Sequence, residues 1–292
     1  MTTTPTSTFD PCSDWTFYYP NHPFCEGLYT GSSFVWHYGG HTGVTELVSC
    51  LTNVAYLFMG GWCLAMGRGS DQLLGLCNTL LLAVGFSSTL YHGTLWRGFG
   101  LLDGISMVLL ATCLALASAA LFISACWPPD TTAANRAYGL AQILVVAHIM
   151  AALQQKSLGG EPGDIVWLSA PVVVCVMCMT GWCKLHRPLP GLQLRDIHLL
   201  LALTTLTLAA AYTLHVVDED ACTTTTAYFF LHACWHILSA YAIGCFLAVL
   251  IYLRSLEAGG RASILWYGYL LPWVEIMPKE HSTEMDQLII LD

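Results

Sequence analysis

Apolar residues gather into seven long runs separated by short polar breaks, near 44–66, 72–93, 99–126, 137–154, 165–184, 198–216 and 227–253. Each run is about 18 residues or longer, enough to cross a hydrocarbon core of ~30 Å. A segment in lipid must satisfy its own backbone hydrogen bonds, so the runs predict helices. The runs lack the period-two alternation of a membrane barrel. The pattern therefore predicts an all-α integral membrane protein, a seven-transmembrane helix bundle forming one domain over residues 1–292. Residues 1–43 make a polar amino-terminal segment, 44–253 the bundle, and 254–292 a tail at the membrane interface. Within that tail, 264–277 is aromatic and apolar but too short to span, and it is interrupted by Pro272 and Glu275. Its Trp266, Tyr267, Tyr269 and Trp273 suit the headgroup level.

Composition agrees with this reading. The chain is 55% hydrophobic and only 10% charged, with a mean hydropathy of +0.60. A soluble domain carries about 25% charged residues. The net charge of −9 gives no sign of a nucleic-acid partner. Residues 1–43 hold no Lys or Arg, so no cleavable signal is expected and the first span is read as an uncleaved anchor. Basic residues set the orientation. With the amino terminus outside, Arg68, Arg136, Lys184, Arg187, Arg195, Arg254, Arg261 and Lys279 fall on the cytosolic side; Arg97 and Lys156 fall opposite. The amino terminus is accordingly expected to be lumenal or extracellular and the carboxyl terminus cytosolic.

This topology gives the polar residues inside the runs a common depth. His92 closes the second span and Asp103 opens the third, with a short link between them. His232 and His236 lie in the first third of the seventh span. All four fall in the outer half of the membrane, where ionisable groups are costly and tend to be functional. His232 and His236 are four apart and share a helix face, a spacing that offers two imidazoles to one metal. A third nitrogen from His92 completes a three-His set with an open position, the catalytic form of a zinc site. Ser88 sits one turn before His92, and Asp103 is a candidate to orient water or accept its proton. A lone His in a membrane helix more often hydrogen-bonds a neighbouring helix, and His148 is read that way. His215, ending the sixth span, is read as an interfacial or outer-shell residue near enough in depth to be a spare ligand.

Thirteen cysteines are present, most of them in apolar runs where they act as small hydrophobes. Cys175 and Cys178 form a CxxC without a second pair at zinc-ribbon spacing. Cys12, Cys25 and Cys222 lie in polar segments.

The order Ser88-x3-His92, then Asp103 eleven residues on, then His232-x3-His236 in the last span, resembles the alkaline ceramidase family. That family belongs to a superfamily of seven-span hydrolases that includes the adiponectin and progestin receptors. Thr45 to Gly61, with Glu46 and Asn53, resembles the family's first span, and Ile264 to Ile276 resembles its ending. The resemblance implies Zn2+ on His92, His232 and His236, with Ser88 and Asp103 as catalytic residues. It implies hydrolysis of ceramide, a membrane lipid, to a sphingoid base and a fatty acid. Asp103 would serve as base and then proton donor, and Ser88 would stabilise the tetrahedral oxyanion. It also implies a disulfide between Cys25 and Cys222, both on the oxidising side of the expected topology. A Ca2+ site involving Glu26 and Glu46 is implied too, although Pro23, Phe24 and Leu28 replace the Asp, Trp and Asn of the family's acidic run. The shared motif leaves open another lipid hydrolase, such as a glycolipid-anchor remodelling esterase, or a receptor-like protein with a structural zinc site. The endoplasmic reticulum, Golgi and plasma membrane fit the sequence equally.

Overall fold

The computed structural model describes residues 47–67, 71–94, 97–128, 131–157, 165–185, 192–221, 230–268 and 270–277. The expected Cys25–Cys222 disulfide, the expected Ca2+ site at Glu26 and Glu46, and the segment 1–43 lie outside these residues. Among the described residues, seven helices are long and apolar enough to cross a membrane. The first is interrupted: α1 (Leu47–Thr52) and α2 (Val54–Met66) meet at Asn53. Then come α3 (Gln72–Thr94), α4 (Arg97–Cys126), α5 (Thr132–Ser157), α6 (Ile165–Leu185), α7 (Leu194–Ala221) and α8 (Leu231–Glu257). The apolar runs thus extend further at several ends than hydropathy alone indicates. Asp71 caps α3, its Oδ1 accepting from the Leu73 amide at 2.8 Å, and Thr131 caps α5 through the Ala134 amide.

The bundle is built around α8. Of its most apolar stretch, 78% is buried, against 6% for the corresponding stretch of α5 and 11% for α7. The helix therefore runs through the centre, while α5 and α7 present most of their apolar side chains outward, as lipid-facing helices do. Against α8 pack α7, α1, α2 and the chain's carboxyl-terminal strands. Small residues allow the close approaches, as is usual between helices in lipid. A Cβ at Gly85 of α3 would stand 2.9 Å from Tyr56 Cβ of α2, and one at Gly60 of α2 would stand 2.8 Å from Leu82 Cδ2 of α3. These reciprocal glycines let α2 and α3 touch backbone to side chain.

The tail departs from the all-α expectation. After α8, Gly259 turns the chain at φ 71°. Residues Arg261–Tyr267 (β1) and Leu271–Met277 (β2) then pair as an antiparallel hairpin, with Arg261 opposite Met277 and Tyr267 opposite Leu271. Ile264 and Val274 point into the protein, and neighbouring side chains alternate outward. This short stretch carries the period-two pattern that the spans lack. The hairpin is fastened to three helices. Trp62 Nε1 of α2 donates to Pro272 O at 2.8 Å. Tyr241 of α8 donates to Leu270 O at 2.8 Å. Gln193, just before α7, accepts from the Ile264 amide at 2.7 Å. At the same end Arg254 of α8 pairs with Asp71 and Glu257, both at 3.1 Å.

Candidate metal centre

The opposite end of the bundle holds the histidines. α3 runs toward this end and reaches it with Ser88 and His92, spaced one turn apart on a single face. α4 leaves from the same end, so Asp103, in its second turn, comes back beside them. α8 starts there too and contributes His232 and His236 from consecutive turns. His92, His232 and His236 are 2%, 4% and 2% exposed, so the cluster is closed to solvent.

Each of the three offers one ring nitrogen to a common point, and these nitrogens lie within 4.8 Å of one another. His92 Nε2 and His232 Nε2 are 3.3 Å apart. Two nitrogens bound at ~2.05 Å to a tetrahedral ion would be separated by about 3.3 Å, so this spacing suits one zinc. The ring centroids are 4.9, 4.9 and 4.6 Å apart, and the planes are tilted rather than stacked. Stacked imidazoles would present faces to each other; tilted ones can present lone pairs to a shared centre.

The outer edges of the rings are also held. His236 Nδ1 donates to the carbonyl of Ser49 at 3.1 Å, with the Thr52 hydroxyl at the same distance. The local sequence explains why that carbonyl is available. Ser49, Thr52 and Asn53 carry side chains that compete with helical backbone bonding. The helix breaks at Asn53, whose amide Nδ2 also bonds the Ser49 carbonyl at 3.1 Å. With Nδ1 engaged outward, Nε2 of His236 is left facing the centre. On the other histidine of α8, His232 Nδ1 faces Asp218 Oδ2 of α7 at 3.7 Å. Tyr56 of α2 supports the floor: its hydroxyl lies 2.6 Å from Ser239 Oγ, and its ring 6.0 Å from that of His236.

Asp103 is half-buried and gathered by serines. Ser87 Oγ donates to Oδ1 at 3.4 Å, and Ser88, one turn before His92, lies close to the carboxylate. Ser106, one turn along α4, touches Ser87 at 3.1 Å and donates to the Asp103 carbonyl at 2.8 Å. One carboxylate, within electrostatic reach of His92, and one buried hydroxyl, Ser88, thus stand beside the histidine cluster. A three-nitrogen donor set, an adjacent base and a hydroxyl in an apolar surround fit a hydrolytic zinc site.

The five residues singled out in the sequence, Ser88, His92, Asp103, His232 and His236, are thus brought together. His215 joins the outer layer, its ring stacked on Trp235 at 5.0 Å and 5.7 Å from that of His232. His148 sits elsewhere, half-buried on α5. Cys175 and Cys178 are free thiols on α6. The sequence reading did not single out Ser87, Ser106, Ser49, Thr52 or Asp218. A serine or threonine in an apolar run is too common to stand out. Asp218 opens the acidic run Asp218-Glu219-Asp220, which reads as a solvated loop.

A search among curated proteins found no match. The ceramidase family model, by contrast, aligns with residues 22–275, which takes in every described helix and nearly all of the hairpin. With the histidine cluster and its carboxylate inside the matched region, the chain belongs to the ceramidase family.

Proposed function

We propose that the protein is a zinc-dependent intramembrane amidase that cleaves ceramide-like lipids into a sphingoid base and a fatty acid. The observation that carries this reading is the convergence of three buried imidazoles beside Asp103 and Ser88 inside an apolar bundle. Family membership supplies the substrate class. His92, His232 and His236 would hold the ion. Zinc bound there would polarise a carbonyl and acidify water to near neutral pH.

The remaining work falls to the chain's own groups. Asp103 accepts the proton of the attacking water and passes it to the departing amine nitrogen. Ser87 and Ser88 keep the carboxylate turned toward the cluster. Once Asp103 has taken up the proton, it can donate to Ser88, whose single O–H is then free to turn to the carbonyl oxygen and its negative charge. Burial strengthens both interactions, because little water competes for them. The distribution of basic residues supports a site in the outer half of the membrane, with the carboxyl-terminal hairpin on the cytosolic side. The family resemblance adds a Cys25–Cys222 disulfide and a Ca2+ site at Glu26 and Glu46.

The test is zinc content and ceramide turnover on one purified sample, wild type beside His232→Ala. About one zinc per chain, with zinc and turnover both lost in the variant, is the expected result. Zinc without release of a sphingoid base would exclude the amidase reading, and a lysolipid product would move it to an ester. A zinc-free, inactive wild type would exclude the metal centre.

A further inference from the structure

Among the described residues, one more carboxylate is buried at this end of the bundle, beyond those given roles above. Asp218, on α7, is 1% exposed. It lies three residues after His215, so the two share a face of α7. His232 and Trp235 share a face of α8 by the same spacing. The helices run antiparallel, and these faces meet in register. His215 stacks on Trp235 at 5.0 Å and 29°, and Asp218 Oδ2 stands 3.7 Å from His232 Nδ1. Further along the same seam, Thr204 Oγ1 donates to Ala242 O at 3.4 Å. Helix packing therefore fixes where Asp218 stands.

A carboxylate inside an apolar bundle is costly unless a compensating group meets it. The compensating arrangement is visible in the ring of His232. Its Nε2 is 3.3 Å from His92 Nε2, inside the cluster. Its Nδ1 points the other way, toward Asp218. A neutral imidazole that gives Nε2 to a metal carries its hydrogen on Nδ1 and can only donate there. The two histidines of the HxxxH pair are then backed differently. His236 leans on a carbonyl dipole from Ser49, whereas His232 faces a carboxylate 3.7 Å away.

We infer that Asp218 is the outer partner of His232, a positioning residue that fixes the ring's tautomer and plane and strengthens its hold on a divalent cation. The inference rests on the metal reading of the cluster. It goes beyond that reading by making the end of α7 part of the metal centre. Its expected size follows from other metal sites, where removing such a partner weakens metal binding by about 10–100-fold.

The test measures zinc itself. Purified full-length wild type, Asp218→Asn, Asp218→Ser and Asp218→Glu are titrated against a chromophoric chelator, and each is melted with and without zinc. The Asn and Ser variants should bind zinc about 10–100-fold more weakly. Their zinc-free melting temperatures should be unchanged or higher, because a buried charge has been removed. Asp218→Glu, which keeps the charge, should recover part of the affinity. Two uncharged variants guard against a folding failure of either one. Zinc affinity within twofold of wild type in a folded Asn or Ser variant overturns the inference while leaving the metal centre intact. So does a drop confined to the zinc-free melting temperature, the mark of a purely structural carboxylate. A wild type that binds no zinc overturns both readings.

Discussion

Asp103→Asn separates the chemistry of the site from its architecture. The amide is nearly isosteric with the carboxylate, so the helix ends should keep their places. Ser87 reaches the carboxylate at 3.4 Å, the far edge of hydrogen-bond range, and is tied independently to Ser106 at 3.1 Å. Ser88 can turn its hydroxyl to accept from the new amide. The loss is thus the difference between a charged and a neutral acceptor, about 1 kcal/mol of stability. Zinc should stay, because Asp103 is not among the three converging ligands. Catalysis should fare far worse. A positioned base contributes about 10²–10⁴-fold, equivalent to about 3–5 kcal/mol of transition-state stabilisation. The assay pairs zinc per chain with the initial rate of sphingoid-base release at saturating ceramide in detergent or nanodiscs. Full zinc with a rate down at least 100-fold is the expected outcome. A rate within tenfold of wild type, zinc retained, would remove Asp103 from the proton-transfer role. Loss of zinc along with activity would mean that the carboxylate helps hold the metal.

Other expectations follow from the same contacts. Stripping metal with a strong chelator should abolish turnover and lower the melting temperature; zinc restored to 100 times its dissociation constant should return about 2.7 kcal/mol of stability. An irreversible loss would argue that zinc is needed to fold the helix ends. Gly85→Ala puts a methyl 2.9 Å from Tyr56 Cβ and should cost about 1–3 kcal/mol by forcing α2 and α3 apart; an unchanged melting temperature would show that the contact yields freely. Trp62→Phe removes the hydrogen bond to Pro272 O and should cost about 1 kcal/mol. Zinc content should be unaffected, since the hairpin lies at the far end of the bundle.

The sequence made the bundle legible because seven runs exceed the length of a bilayer span. The site was legible because ionisable residues in such runs are rare enough to notice. His232 and His236 declare themselves by spacing; His92 and Asp103 declare themselves by depth. What stayed hidden shares a different character. Ser49 acts through its backbone carbonyl, which no side-chain pattern reports. Ser87 and Ser106 are small polar residues of a kind that packs between many membrane helices. Asp218 was masked by its acidic neighbours, although its burial depends on α7 continuing past the apolar run to Ala221. The hairpin escaped because Pro272 and Glu275 interrupt its apolar stretch, and the hydropathy that finds spans does not test short segments for alternation.

With zinc bound at the three histidines, charge balance would favour two nearby carboxylates over one. Three neutral imidazoles around a divalent cation leave two positive charges in a surround of low polarity, which is unfavourable without counter-charge. Asp103 on α4 and Asp218 on α7 would supply two negative charges. They are not equivalent. Asp103 is half-buried and held by hydroxyls that can turn, which suits a group that must take up and release a proton. Asp218 is fully buried behind a ligand, which suits a charge that stays fixed. A bundle that places both against one central helix lets the proton-transferring charge change during turnover while the holding charge does not. The prediction that distinguishes them is the opposite pattern of loss: Asp103→Asn should keep zinc and lose rate, and Asp218→Asn should lose zinc first, with rate recovering as zinc is raised.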